Sequence, residues 1–245
     1  MKSNFLKFAL PLLFGLSIWH IGAVLVDNDF LLPGIGSTFN ALSSLLATET
    51  FYKAVVLTLL RVLTGLIFGC AVGFLLAIAC VKISILKYTL SPIITIVKAT
   101  PVASFIVLFW VMMSGDFLSI FIGFLMVMPI IWQSTTDAYG SIDKNLLEVA
   151  EIFEFTPAKR FRLVIFPVLK KYLVPAVITS SSLAWKAEIA AEIIAYTKRS
   201  IGQGINDAKY NMDSPTVFAW TIVIIIFSIV LENLSKKILK RLKWL

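Results

Sequence analysis

The chain alternates long apolar runs with short charged clusters. Charge-free runs cover residues 8–26, 62–81, 99–115, 117–136, 172–185 and 215–231. A bilayer-crossing helix needs roughly 20 predominantly apolar residues. Five of the runs approach that length, and the fifth in order, 172–185, reaches it by continuing through Ala187, Ile189, Ala190, Ala191, Ile193 and Ile194 if Lys186, Glu188 and Glu192 face protein or water. The pattern predicts an all-α integral membrane protein with six transmembrane helices, at about 6–26, 55–81, 89–114, 117–136, 170–195 and 215–234.

The longest charged interruption is 145–167, NLLEVAEIFEFTPAKRFRLVIFP. On a helix, Leu146, Leu147, Val149, Ala150, Ile152 and Phe153 share one side, while Glu148, Glu151 and Glu154 recur on the other. Asn145 followed by Glu148 reads as a capping box. Thr156-Pro157 reads as the N-cap and first-turn proline of a second, basic turn. Two short helices meeting at an angle would make a docking element, and a solvated link between two spans would show the same charges. The residues alone leave both open.

Composition agrees with the membrane reading. Of 245 residues, 59% are hydrophobic and 15% charged, whereas soluble proteins carry about a quarter charged residues. The excess of 22 basic over 14 acidic residues is confined to short clusters between apolar runs, which argues against a nucleic-acid partner. Cys70 and Cys80 lie in one apolar run without metal-ligand spacing, and His20 is the lone histidine, so neither a disulfide nor a metal site is expected. No GxxxxGK[ST] phosphate loop or Ser-His-Asp set is present, and no catalytic residue is expected. The start resembles a signal peptide in charge, but its apolar stretch is long enough to span and lacks a small-residue cleavage site, so it reads as a retained first span.

Basic residues set the orientation. Lys2, Lys7, Lys82, Lys87, Lys144, Lys159, Arg160, Arg162, Lys170, Lys171, Lys236, Lys237, Lys240, Arg241 and Lys243 fall on one side; Lys53, Lys198, Arg199 and Lys209 fall on the other. Both termini and the loop 140–168 are therefore expected in the cytoplasm. The loops 27–53 and 196–214 are expected outside, the first with a surface helix over 37–46. Gly65, Gly69 and Gly73, at four-residue spacing, allow either close helix approach or bending. Pro101 and Pro129 are expected to interrupt the third and fourth spans. Arg61, Lys98, Lys186, Glu188 and Glu192 carry charge at membrane depth, where pairing, pathway contact and snorkelling are all open. Glu188 and Glu192 share a helix face, and Lys98 or Arg61 could neutralise one of them. Lys98, just before Pro101, is the favoured contact for an anionic solute.

Several motifs, in order along the chain, resemble the permease subunits of bacterial ABC importers of the nitrate, sulfonate and taurine branch. Glu148-Val149-Ala150 followed by Ile165-Phe166-Pro167 is similar to that family's cytoplasmic EAA loop. Leu31-Leu32-Pro33 resembles the branch's external Leu-Pro segment, and 58–65 (TLLRVLTG) its Ser-Leu-x-Arg-Val-x-x-Gly. Lys98-Ala99-Thr100-Pro101 stands where the branch has Arg-x-x-Pro. Ala184-Trp185, Ala191-Glu192 and Ile201-Gly202-Gln203-Gly204 resemble its Ala-Trp, Ala-Glu and Gly-x-Gly series. Two positions depart from the pattern: Val149 replaces the usual alanine, and Glu154 replaces the glycine at the bend of the loop.

The resemblance implies a type I ABC importer permease fold in a bacterial inner membrane, with no catalysis by this chain. It implies two cytoplasmic ABC ATPase subunits that bind ATP and Mg, a second permease copy or paralogue, and an extracytoplasmic substrate-binding protein. On that reading Leu147, Glu148, Val149, Ala150, Glu151, Ile152, Phe153, Glu154 and Pro167 couple the chain to the ATPase. Arg61, Lys98, Pro101, Lys186, Glu188 and Glu192 line the path or pair within the membrane, and the cargo is a small solute such as nitrate, a sulfonate or taurine. A stand-alone carrier or channel using the intramembrane charges is the alternative; it would need internal repeats, and none is evident. An intramembrane enzyme would need paired catalytic residues that are missing.

Overall fold

The computed structural model describes residues 2–241, with side chains described from 10 to 239 except Leu12. Of the basic residues that set the expected orientation, Lys2, Lys7, Lys240, Arg241 and Lys243 lie outside the described side chains. The described residues form helices and no strands.

Helix α1 (Lys2–Val26) ends in the apolar segment Leu13–Val26. It is tied to the rest through Trp19, whose Nε1 donates to the Pro33 carbonyl at 2.9 Å and whose ring stacks on Phe218. The polar link carries α2 (Ile35–Leu46), started at Gly34, where Asp29 accepts from the Gly34 amide and the Ser37 hydroxyl. Helix α3 (Glu49–Lys82) is capped by Thr48, which accepts from the Phe51 amide.

The apolar run expected to form the third span is realised as two helices, α4 (Ser84–Ala99) and α5 (Val102–Trp110), bent by 99° at the break between them. Pro101 explains the break, because it drives the preceding residue out of the helical region; Thr100 has φ −79° and ψ 131°. Pro129 behaves differently from its sequence reading. It lies buried inside one uninterrupted helix, α6 (Gly115–Gly140), where packing on neighbouring helices tolerates the freed carbonyl.

Helix α7 (Lys144–Ile152) and the single turn α8 (Pro157–Arg160) follow, and α8 passes through a π-helical turn, Phe161–Ile165, into α9 (Phe166–Ile194). Residues 157–168, read from the sequence as the end of a loop, are thus the first turns of a continuous helix reaching Ile194. Pro167 supplies a physical reason for the π turn: a proline ring clashes with the carbonyl four residues earlier, and the widened turn, in which the Phe166 amide donates to the Phe161 carbonyl, relieves the clash. Helices α10 (Ile201–Tyr210) and α11 (Ser214–Arg241) close the fold.

Among the described residues, four helices are long and apolar enough to cross a membrane: α3, α6, the continuous 157–194 helix and α11; the bent α4–α5 pair makes a fifth if counted as one span. The core lies where α3, α6 and α9 meet, with Val62, Val127, Ile131, Ala184, Trp185 and Ile189 buried together. A second cluster joins Ile106 of α5 to Leu118, Ile122, Ala187 and Ala191. A third surrounds Trp132, whose Nε1 lies 3.4 Å from the buried Cys80 sulfur.

The glycine series on α3 sets the α3–α6 distance. A Cβ at Gly69 would fall 2.6 Å from Val127 Cβ, and one at Gly73 would fall 2.6 Å from the Met128 carbonyl oxygen. These glycines therefore serve close approach. Gly69→Leu is expected to lower unfolding stability in detergent by about 1–3 kcal/mol through overpacking, whereas Gly15→Leu, with nothing within 4 Å of its added Cβ, should leave the unfolding midpoint unchanged.

Candidate functional site

Most of the sequence-selected residues gather at two places, at opposite ends of the helices. The first is a buried charge cluster where α3, α9 and the start of α10 converge. Thr58 and Arg61, one turn apart on α3, meet Glu192 on α9. The Arg61 guanidinium donates to Glu192 at 3.0 Å and to Asp116, in the first turn of α6, at 2.8 Å, and it also reaches the Lys198 carbonyl. The Thr58 hydroxyl donates to the same Glu192 carboxylate.

Glu192 is fully buried, so its charge requires compensation. Besides Arg61 and Thr58, the Gly202 amide at the N-terminus of α10 donates to it at 3.3 Å, while the Ile201 amide donates to the Thr58 hydroxyl. A helix N-terminus favours negative charge, so α10 contributes electrostatically as well as by hydrogen bonding. Gly202 is required by contact: a Cβ there would sit 2.4 Å from Glu192 Cβ, and one at Gly204 would sit 2.4 Å from the Trp220 ring. Ser200 caps α10 by accepting from the Gln203 amide.

Glu188 sits one turn along α9, also fully buried, and neither carboxyl oxygen has a hydrogen-bond partner among the described residues. It fills a slot between two glycines: a Cβ at Gly123 of α6 would lie 1.8 Å from Oε1, and one at Gly65 of α3 would lie 2.5 Å from it. Of the two glutamates, Arg61 neutralises Glu192. Lys98, Pro101 and Lys186 are exposed and lie outside this cluster, Lys98 in the last turn of α4 beside the 99° break. Among the described residues no group of three or more His, Cys, Asp or Glu is arranged to hold a metal.

The second place is α7 and its exit. Asp143 caps α7 by accepting from the Asn145 amide, so the cap falls two residues before the Asn145 expected from the sequence. The apolar side is divided. Ala150 is buried and Leu147 is half-buried against the bundle, while Leu146, Val149, Ile152 and Phe153 are exposed, Ile152 at 77% and Phe153 at 69%. Glu148, Glu151 and Glu154 are exposed and make no ion pair among the described residues. Pro167 is exposed on the helix beyond the π turn.

Helix α7 closes with the Phe155 amide donating to the Ala150 carbonyl and the Glu154 amide donating to the Glu151 carbonyl. This is a Schellman closure, and it requires a left-handed residue at the first position past the cap, usually glycine. Glu154 occupies that position with φ +49°. The bend therefore falls on Glu154, with Thr156 then capping the next turn through the Lys159 amide.

The sequence profile of the family described as "Binding-protein-dependent transport system inner membrane component" matches residues 65–244. This chain belongs to that family. The chain is also 25% identical to a probable ABC transporter permease protein of Brucella melitensis, over 98% of this chain and 95% of the relative. Its fold is shared with solved transporters. A chain of an amino acid ABC transporter crystallised with histidines aligns with TM-score 0.66 at 16% identity, covering 82% of this chain and 97% of that one. A chain of a bacterial ABC transporter that imports the acidic polysaccharide alginate aligns with TM-score 0.62 at 16% identity, covering 98% and 96%. The chain is a multi-pass ABC transporter permease of the binding-protein-dependent import type, and a stand-alone carrier is not favoured.

Asp116, Gly123 and Ser200 were not singled out from the sequence. The signals were weak: an acid in a first helical turn, a glycine inside a long apolar run and a serine in a turn. Two outcomes are expected of the permease. Arg61→Met should destabilise it by about 3–5 kcal/mol by leaving Glu192 buried and unpaired, and Arg61→Met with Glu192→Met should recover much of that loss in chemical-denaturation midpoints. Glu154→Gly should stabilise the α7 exit by about 1 kcal/mol, read as slower amide exchange at Phe155 with the core amides unchanged.

Proposed function

We propose that this permease forms the translocation pathway of an ATP-driven importer for a small solute, and that α7 is its coupling helix. The supporting observation is the exposed ridge of Leu146, Val149, Ile152 and Phe153 on a helix anchored from beneath by Leu147 and Ala150. An exposed apolar ridge capped at both ends is suited to a groove on a soluble partner, and the family membership supports an ABC ATPase as that partner.

On this reading the chain has six spans, with α1 and the bent α4–α5 pair among them, and both termini lie in the cytoplasm of a bacterial inner-membrane protein. Two ATPases, carrying the ATP and Mg, grip two such helices, one from this chain and one from a second copy or a paralogue. ATP-driven closure moves the helices, and the continuous 157–194 helix carries that movement from the α8 turn directly into the bundle. At its far end that same helix holds Glu188 and Glu192, so loop and charge cluster are joined by one rigid element. An external binding protein delivers the solute. Lys98, exposed beside the break in the α4–α5 pair, is the contact for a small oxyanion such as nitrate, a sulfonate or taurine. The chain contributes no catalytic group.

Burial of one phenylalanine is worth about 1.5–3 kcal/mol, so its loss should weaken docking by roughly tenfold or more. Phe153→Asp is expected to reduce by at least that factor the ATPase recovered with the C-terminally tagged permease from mild detergent, while the thermal midpoint of the permease is unchanged. Equal recovery of ATPase by the variant would remove α7 as the coupling element.

A further inference from the structure

Beside α7, on its bundle side, lies a cavity of about 460 Å³ at the junction of α3, α4, α6, α7 and α8. Its lining is divided. Lys87 of α4 and Arg160 of α8 provide two cations, Ser84 and Tyr139 provide hydroxyls, and Val81 and Leu147 contribute to an apolar wall. None of the lining residues is acidic. Neither Lys87 nor Arg160 makes an ion pair among the described residues, so both charges are available to an incoming anion.

The apolar wall does not stop at the mouth. It continues over exposed Val81, Ile83, Ile85 and Tyr88, at the end of α3 and the start of α4. Unpaired cations and hydroxyls beside an apolar surface at the end of a membrane helix match a phosphate headgroup whose acyl chains lie along that surface. A free phosphate ion would use the cations and leave the apolar surface without a role.

We propose that this cavity holds the phosphate headgroup of an anionic phospholipid, bridging Lys87 at the end of the bundle to Arg160 beside the coupling helix. The proposal rests on the reading above that this end faces the cytoplasmic leaflet. A bound headgroup would tie α4 to α8 and so fix the base on which α7 sits, making ATP-driven uptake depend on lipid charge.

The test uses the purified complete transporter in native mass spectrometry, with phosphatidylglycerol or phosphatidylcholine as the probe lipid. The wild type is expected to retain phosphatidylglycerol in preference to phosphatidylcholine. Neutralising both cations with Lys87→Gln and Arg160→Gln should weaken that retention by roughly thirtyfold, the combined effect of two basic residues near an anionic lipid. Ser84→Trp, which fills the cavity and keeps both charges, should have a similar effect and serves if the double variant does not assemble. Equal retention of both lipids by the wild type, or undiminished retention by the variants, would overturn the proposal. Displacement of the lipid by millimolar inorganic phosphate would assign the cavity to the free ion and also overturn it. ATPase recovery from the same samples reports separately on coupling: retained ATPase with lost lipid separates this site from the α7 ridge.

Discussion

A buried ionised side chain is costly unless it is paired, and the pairing of Arg61 with the fully buried Glu192 joins four helices at one point. The pair ties α3 to α9, Asp116 brings the start of α6 to the same guanidinium, and the Gly202 amide ties α10 to the same carboxylate. Each connection demands a further concession. Gly202 must be a glycine for α10 to approach the Glu192 backbone, and Gly65 and Gly123 must be glycines for Glu188 to fit between α3 and α6. Gly65, Gly123 and Gly202 are thus placed by two acidic side chains. Such a pair adds little net stability over a well-packed apolar one; it specifies which faces meet.

The other end of the molecule follows the opposite logic. Around α7 the strain is local and the apolar surface is left uncovered. Glu154 holds a left-handed backbone that a glycine would adopt freely. Pro167 is accommodated by a π turn, which keeps the 157–194 helix continuous. Under the proposed coupling role, that continuity gives a displacement at Pro157 an unbroken helical path into the bundle. The continuous helix begins at the loop and ends at the charge cluster.

Much of this was legible in the sequence, for stated reasons. Apolar runs near bilayer length announce membrane helices because the backbone must satisfy itself in lipid, and Thr156-Pro157 announced a helix start that the structure shows. Pro129 misled, since a proline breaks a helix only when its surroundings leave the freed carbonyl unsatisfied. Asn145 misled because Asp143, two residues earlier, is as good a cap. Arg61 was legible as one of two cations able to neutralise Glu188 or Glu192, but the choice of partner spans 131 residues, a separation that no local periodicity reports. The division of the α7 apolar side was also hidden, because a helical pattern shows that a face is apolar and not whether its own bundle or another protein covers it.

The most direct measurement is solute uptake by proteoliposomes containing the purified permease, its co-purifying ATPase and an external binding protein, with each component omitted in turn. The account predicts uptake that requires ATP and all three components, and that stops when the ATPase is left out. Uptake by the permease alone, driven by an ion gradient and indifferent to ATP, would contradict it.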